Sequence, residues 1–476
     1  MKRHSLLPLV LTMTLAWPVS YANDLPDLGE SSRTYLTDEQ EQTLARSIMQ
    51  SVYADPHYLD DPVIETYLNE LGYRLVSHSP GNQNVFNFFV LQDPTVNAFA
   101  LPGGHIGVHT GLILTADSES ELAAVLAHEI SHVNQHHLTR MIANQDKSFW
   151  PTMAALAVAI LAARSNPSAG TAAIAGTQAL NMQNQLNYSR EFEREADRMG
   201  FEVMQNAGFD PHAMASFFER LQRANRLYES NAPAYLLTHP LTYERIADIE
   251  SRLANLPYKQ YQDSSDFQLI RARIKAMDGT PQDAIAQFRG QLRERKYSSE
   301  AAAQYGLALA YLRASRFDAA EASAQKFAGL SSSPLASLLL GTTAAKSGKL
   351  DLALTRYRAG LSRYPTYLPL LYGYADALLD SQRPQEALTL LETKTASGSD
   401  DIRLWKLLGR AHAMLGQRLA SHRATAESLA LSGDLRAAIE QLNLGLKAGD
   451  GNFYDLSSAE ARRREWQATL AEQAKK

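Results

Sequence analysis

Cysteine is absent from all 476 residues, so neither a disulfide framework nor a lipid anchored on cysteine is possible. A dominant charge sign is missing too: 46 basic against 51 acidic side chains leave a net charge of −5. The two signs are interspersed, which points away from nucleic acid as a partner. No apolar run reaches the roughly 20 residues that a membrane-spanning helix needs. Two stretches come nearest. Lys2 and Arg3 precede a mostly apolar Leu6–Val19, and Ser20-Tyr21-Ala22 ends it in small-x-small fashion. This reads as a secretory signal peptide over 1–22, cleaved after Ala22. The expectation is a soluble, disulfide-free protein exported to a bacterial periplasm. The second stretch, Trp150–Ala163, carries no charge before Arg164. It reads as a buried or half-buried helix, or else as a mobile cover or a surface for peripheral membrane contact.

What is present is ordinary globular material. With 45% hydrophobic and 20% charged residues the chain can bury large cores, and its length suits roughly two to four domains. From Leu36 to Leu256 helical patterns alternate with short strand candidates at Val85–Phe89 and Ile106–Val108. Residues 257–265 lack an apolar period and read as a linker between a segment 23–256 and a segment 266–476. In the second segment Gly341, Ala353, Tyr357 and Pro365 are spaced by 12, 4 and 8 residues. Ala375, Ala387 and Leu391 lie one period on, and Ala308 and Ala320 about one period back. Trp405–Gly409 repeats the opening, and weaker copies end at Ala284/Phe288 and Ala438/Leu442. Small residues recur because two antiparallel helices must approach closely there. The pattern resembles the tetratricopeptide family, with its period of roughly 34 residues.

The chemistry is concentrated in "AAVLAHEISHVNQHH". On a helix, His128 and His132 share one face and can hold one metal ion. Glu129 sits beside that ion without ligating it, placed to take a proton from an attacking water. The helix should begin near Ser118-Glu119, with Leu122, Val125, Leu126 and Val133 buried. His136 lies eight residues beyond His128, about 12 Å along the axis, so it cannot join the same ion. His136 and His137 therefore read as solvated or as contacting the ligands. A better third ligand is Glu193 in "NYSREFEREADRMG", one turn before Asp197 on the same face. Glu193 would leave a fourth position for water, and Asp197 would accept the free N–H of a ligating histidine.

These motifs, with the upstream "NAFALPGGHIGVHTGLI", resemble the M48 family of zinc metallopeptidases over about Leu36–Leu256. The resemblance implies one Zn2+ per chain on His128, His132 and Glu193, and Glu129 as general base. It also leaves Asp197 either orienting a ligand or donating a proton. The implied fold is mainly α: an α+β zincin-like metallopeptidase domain with a small sheet, then an all-α tetratricopeptide solenoid. Asn97–Leu101 suits either an exposed edge strand that binds substrate backbone or a buried hairpin. His239, before Pro240, should sit in a fixed extended loop ahead of a helix at Tyr243–Leu253. It could take the fourth zinc position as a latch or donate to the oxyanion. Leader, peptidase and repeats in that order resemble one kind of quality-control protease, and that likeness implies a periplasmic endopeptidase with chaperone character. It would act with the barrel assembly machinery on misfolded or stalled outer-membrane β-barrel proteins. The rival reading is a periplasmic chaperone or scaffold whose metal site is structural or nearly inactive; a purely structural site would have no need of Glu129.

Overall fold

The computed structural model describes residues 38–80, 85–143, 190–227, 234–254, 256–257, 259–395 and 399–473. The leader 1–22 and the apolar stretch 150–163 lie outside them. The first half is built on helices α1 (Asp38–Ala54), α2 (Pro62–Val76), α3 (Thr110–Thr115), α4 (Glu119–Asn134) and α5 (His137–Ala143). These are followed by α6 (Arg190–Asn206), α7 (His212–Leu227), α8 (Ala234–Thr238) and α9 (Tyr243–Leu253). Local chemistry sets their starts. Asp61 caps α2 by accepting from the Val63 and Ile64 amides, with Pro62 at the first position. Ser118 caps α4 through the Glu121 amide, and the Glu121 carboxylate reaches back to the Asp117 amide. Thr242 starts α9 in the same way.

A three-stranded sheet, β1 (Asn87–Leu91), β2 (Ala98–Leu101) and β3 (His105–His109), has the order β1-β3-β2. β1 pairs in parallel with β3, and β2 pairs with it antiparallel, Phe99 opposite Gly107. β1 runs two residues later than the periodicity predicts. Val85 is exposed, whereas Val90 and Leu91 are buried, so burial shifts the strand towards its C-terminal end. β2 is an edge strand and packs against α4. Gly103 and Gly104 make the turn between β2 and β3, both at positive φ near 75–78°. α4 is the centre of the core: Leu122 to Ala127 and Ile130 are fully buried, and the alanines let its neighbours approach.

Beyond residue 264 come helical pairs, from Ser265–Met277 and Pro281–Glu294 through Ile402–Met414 and Arg418–Leu431, closing with Phe453–Gln473. The repeat pattern has a direct cause. A Cβ at Gly341 would lie 2.5 Å from the Tyr357 ring and one at Gly373 would lie 2.7 Å from it, so a single aromatic locks two glycines. Among the described residues no helix is long and apolar enough to cross a membrane.

The solenoid does not hang from a free linker. Ser264 caps helix Ser265–Met277 and also donates its hydroxyl (2.5 Å) and amide (3.1 Å) to the Glu119 carboxylate. Asp263 accepts the Glu119 amide at 2.9 Å, and Tyr67 donates to the same carboxylate at 2.9 Å. Phe267, Ile270 and Ile274 are buried in one continuous core with Val63, Leu68 and Leu112. Arg273 pairs with Asp61 at 2.8 Å. Much later in the chain, Arg403 returns to Asp60 and, at 2.8 Å, to Glu65 at the start of α2. The repeats thus curl around α2.

Candidate metal centre

α4 carries His128, Glu129 and His132 and begins where the sequence predicts, and α6 carries Glu193 and Asp197 one turn apart. Their close approach depends on Gly200, three residues past Asp197. A Cβ there would lie 3.2 Å from the Ala127 carbonyl carbon and from the His128 nitrogen, which are backbone atoms and cannot rotate away. Gly200→Val should therefore push α6 off α4, lower the thermal stability by about 1–3 kcal/mol and weaken zinc binding. Melting curves and a zinc titration test this; a variant with unchanged zinc affinity would break the link.

His128, His132, Glu193 and His239 bring one ligand atom each within 4.8 Å of one another, all four side chains buried. His128 Nε2 lies 2.9 Å from His132 Nε2 and 3.5 Å from Glu193 Oε2. His132 Nε2 lies 3.4 Å from Glu193 Oε1. Tetrahedral zinc with bonds of about 2.0–2.2 Å sets its ligand atoms about 3.3–3.6 Å apart. The donor set, two neutral-capable imidazoles and a carboxylate, fits zinc in type and in spacing.

The fourth donor is His239. Its Nδ1 is 3.1 Å from Glu193 Oε1 and 3.4 Å from His128 Nε2, while its Nε2 is 3.5 Å from Glu129 Oε1. His239 follows directly on α8, its amide bonded to the Tyr235 carbonyl, and α9 begins at Tyr243 as the sequence predicts. Glu129 is buried and lies outside the set of four, facing His239 and the Ala100 amide of β2. Burial raises its carboxyl above the ordinary range, the direction a general base near neutrality needs.

Asp197 lies 3.0 Å from His128 Nδ1, behind the ligand. Burial opposes a charge on His128, yet Asp197 and Glu193 push it up to about 9, the mark of a strongly donating imidazole. His132 goes the other way, down to about 3, through burial and the His128 charge. Its far nitrogen meets His137 Nδ1 at 2.8 Å, and His137 in turn reaches Glu195 at 3.2 Å. Of the two open readings for this pair, His137 is thus the one that contacts a ligand. His136, at φ 51°, turns the chain out of α4.

Two residues escape the motif reading. Arg245 on α9 is buried and grips Asp197 with two nitrogens, at 2.6 and 2.8 Å. It also reaches Glu193 Oε2 at 2.6 Å and the Pro240 carbonyl at 2.9 Å. Arg245 keeps Asp197 ionised against burial, while His239, His128 and His132 do the same for Glu193. The signal was present: Arg245 shares with Ile249 the buried face of an otherwise polar helix. Tyr235 stacks on His239, ring centres 4.6 Å apart, and its buried hydroxyl has no hydrogen-bond partner among the described residues.

Comparison with known proteins fits this geometry. Residues 62–253 match Peptidase family M48, and residues 344–411 match a Tetratricopeptide repeat. The chain is 34% identical over 459 residues to the Beta-barrel assembly-enhancing protease of Escherichia coli (strain K12), covering 93% of this chain and 92% of the relative. It is 33% identical over 427 residues to the protein of the same description in Yersinia pestis, covering 88% and 86%. A mitochondrial metalloendopeptidase of Schizosaccharomyces pombe is 34% identical over 194 residues, 41% of this chain and 54% of that one.

Proposed function

Since the chain belongs to peptidase family M48 and is a zinc metalloendopeptidase, we propose that it degrades misfolded or stalled outer-membrane β-barrel proteins in the periplasm and assists their assembly. The carrying observation is a buried glutamate beside, and not among, the zinc-compatible donors. His128, His132 and Glu193 hold the ion, which when bound polarises the scissile carbonyl and makes water easier to deprotonate. Glu129 takes the proton from the attacking water and passes it towards the leaving amine. Asp197 fixes the tautomer of His128, and Arg245 holds Asp197 in place. The outer edge of β2, where the Ala100 amide faces Glu129, lays a substrate strand across the site through backbone bonds.

His239 acts as a latch. With Nδ1 among the donors and Nε2 against Glu129, it fills the place where water and substrate must enter. Such a restraint suits a protease working among folding intermediates. His239→Ala should raise hydrolysis of an unfolded substrate several-fold. A fall of about 100- to 1,000-fold would instead make the residue an oxyanion donor.

The leader read at 1–22 and the relatives named for barrel assembly support the location and the substrate class. The repeats from 266 onward present partners to the peptidase half. A catalytically inactive Glu129→Gln chain crosslinked in the periplasm should trap barrel precursors and the barrel assembly machinery. Recovery of neither would remove this assignment.

A further inference from the structure

Away from the metal centre, a cleft of about 210 Å3 opens between helices Ser265–Met277, Pro281–Glu294 and Glu300–Arg313. Three cations, Arg271, Lys275 and Lys296, line it and no acidic side chain does. Lys296 is exposed and pairs with Glu294, so it belongs to the rim. The other two are half-buried, and among the described residues neither forms a salt bridge. Arg271 spends one terminal nitrogen on the Leu114 carbonyl at 2.9 Å, and its buried Nε has no partner. Three acids act on it: Asp117 and Glu121, both held by Arg220, and Asp263, which accepts the Glu119 amide. Among the described residues Lys275 makes neither ion pair nor hydrogen bond, and burial together with Arg271 pushes its ammonium below the ordinary value. Half-buried cations without counter-charge are unfavourable unless something arrives to pair with them.

We propose that this cleft is a second recognition site, in which Arg271 and Lys275 hold the carboxylate of a protein chain. The shape and lining favour that ligand. The volume is below the roughly 300–1,000 Å3 of pockets for whole small molecules, and suits the end of a peptide or one acidic side chain. A guanidinium fork matches a planar carboxylate, and Lys275 adds a point charge. Gln268 and Gln291 offer both donors and acceptors to the adjoining backbone, and Phe288 gives the wall an apolar edge. The cleft belongs to the opening repeats, so a partner held there lies beside the junction that carries the catalytic helix.

The full chain is titrated with fluorescent hexapeptides: one ending in phenylalanine as the free acid, the same peptide amidated, and an amidated peptide with one internal glutamate. At least one carboxylate-bearing peptide should bind tenfold or more tightly than the neutral amide, and added salt should weaken it. Which of the two does so separates a chain end from a side chain. Lys275→Glu should abolish the preference and Lys275→Gln should reduce it, with hydrolysis of an unfolded substrate unchanged. Equal binding of acid and amide overturns the proposal, as does a preference that survives Lys275→Glu. Binding of inorganic phosphate or phosphatidylglycerol vesicles that Lys275→Glu removes, without any preference among peptides, also overturns it in favour of a phosphate headgroup.

Discussion

Glu129→Gln should retain one zinc per chain and lose peptide hydrolysis by about 100- to 10,000-fold, the usual range for a general base. Glutamine keeps the length and shape of the side chain, so the packing of α4 is undisturbed. The neutral amide cannot accept a proton from water, and it contributes nothing to the four donors that gather around Glu193. Burial already disfavours the Glu129 charge, so the thermal midpoint should hold or rise when that charge is removed. His128→Ala separates the roles: it removes a donor at the centre and should lose both metal and activity. Metal content by elemental analysis, beside rates on an unfolded substrate, checks both. Wild-type hydrolysis in Glu129→Gln would end the mechanism.

Arg245→Met should destabilise the fold by about 3–5 kcal/mol, the range for breaking a buried ion pair on one side. Asp197 and Glu193 would then face each other across a buried space without a cation, and the Pro240 carbonyl would lose its donor. The effect should spread to the metal, because Asp197 could no longer hold the His128 ring at 3.0 Å. Arg245→Lys should rescue only part of the loss, since one ammonium cannot span both carboxylates and the carbonyl. Melting curves with and without added zinc measure it. A midpoint equal to wild type would mean that the guanidinium is dispensable.

These residues show which signals a sequence carries. His128, Glu129, His132, Glu193 and Asp197 announce themselves because helical spacing puts them on shared faces, and α4 begins at the cap that Ser118 offers. The repeats are legible for a similar reason: Gly341, Gly373 and Tyr357 must recur in register if successive helices are to touch. Arg245 and Tyr235 are different. Each reaches the centre through the path of α8 and α9, so what it contacts depends on tertiary approach, and the burial of Arg245 on the apolar face beside Ile249 is the sole local trace. The return of Arg403 to Asp60 and Glu65 bridges more than 300 positions and leaves no local trace. Residues 257–265 lack periodicity and so read as a spacer, although Asp263 and Ser264 are fixed by the one carboxylate-bearing residue that starts α4.

That attachment at Glu119 also bears on the order of assembly. A polypeptide is made from its N-terminus, and His128, Glu129, His132, Glu193 and Asp197 all precede the first repeat helix. At that stage Phe267, Ile270 and Ile274 do not yet cover α2 and α3, and the head of the catalytic helix has no Ser264 to hold it. The packing around α2 and the start of α4 is thus completed only when the helix that follows residue 264 has arrived.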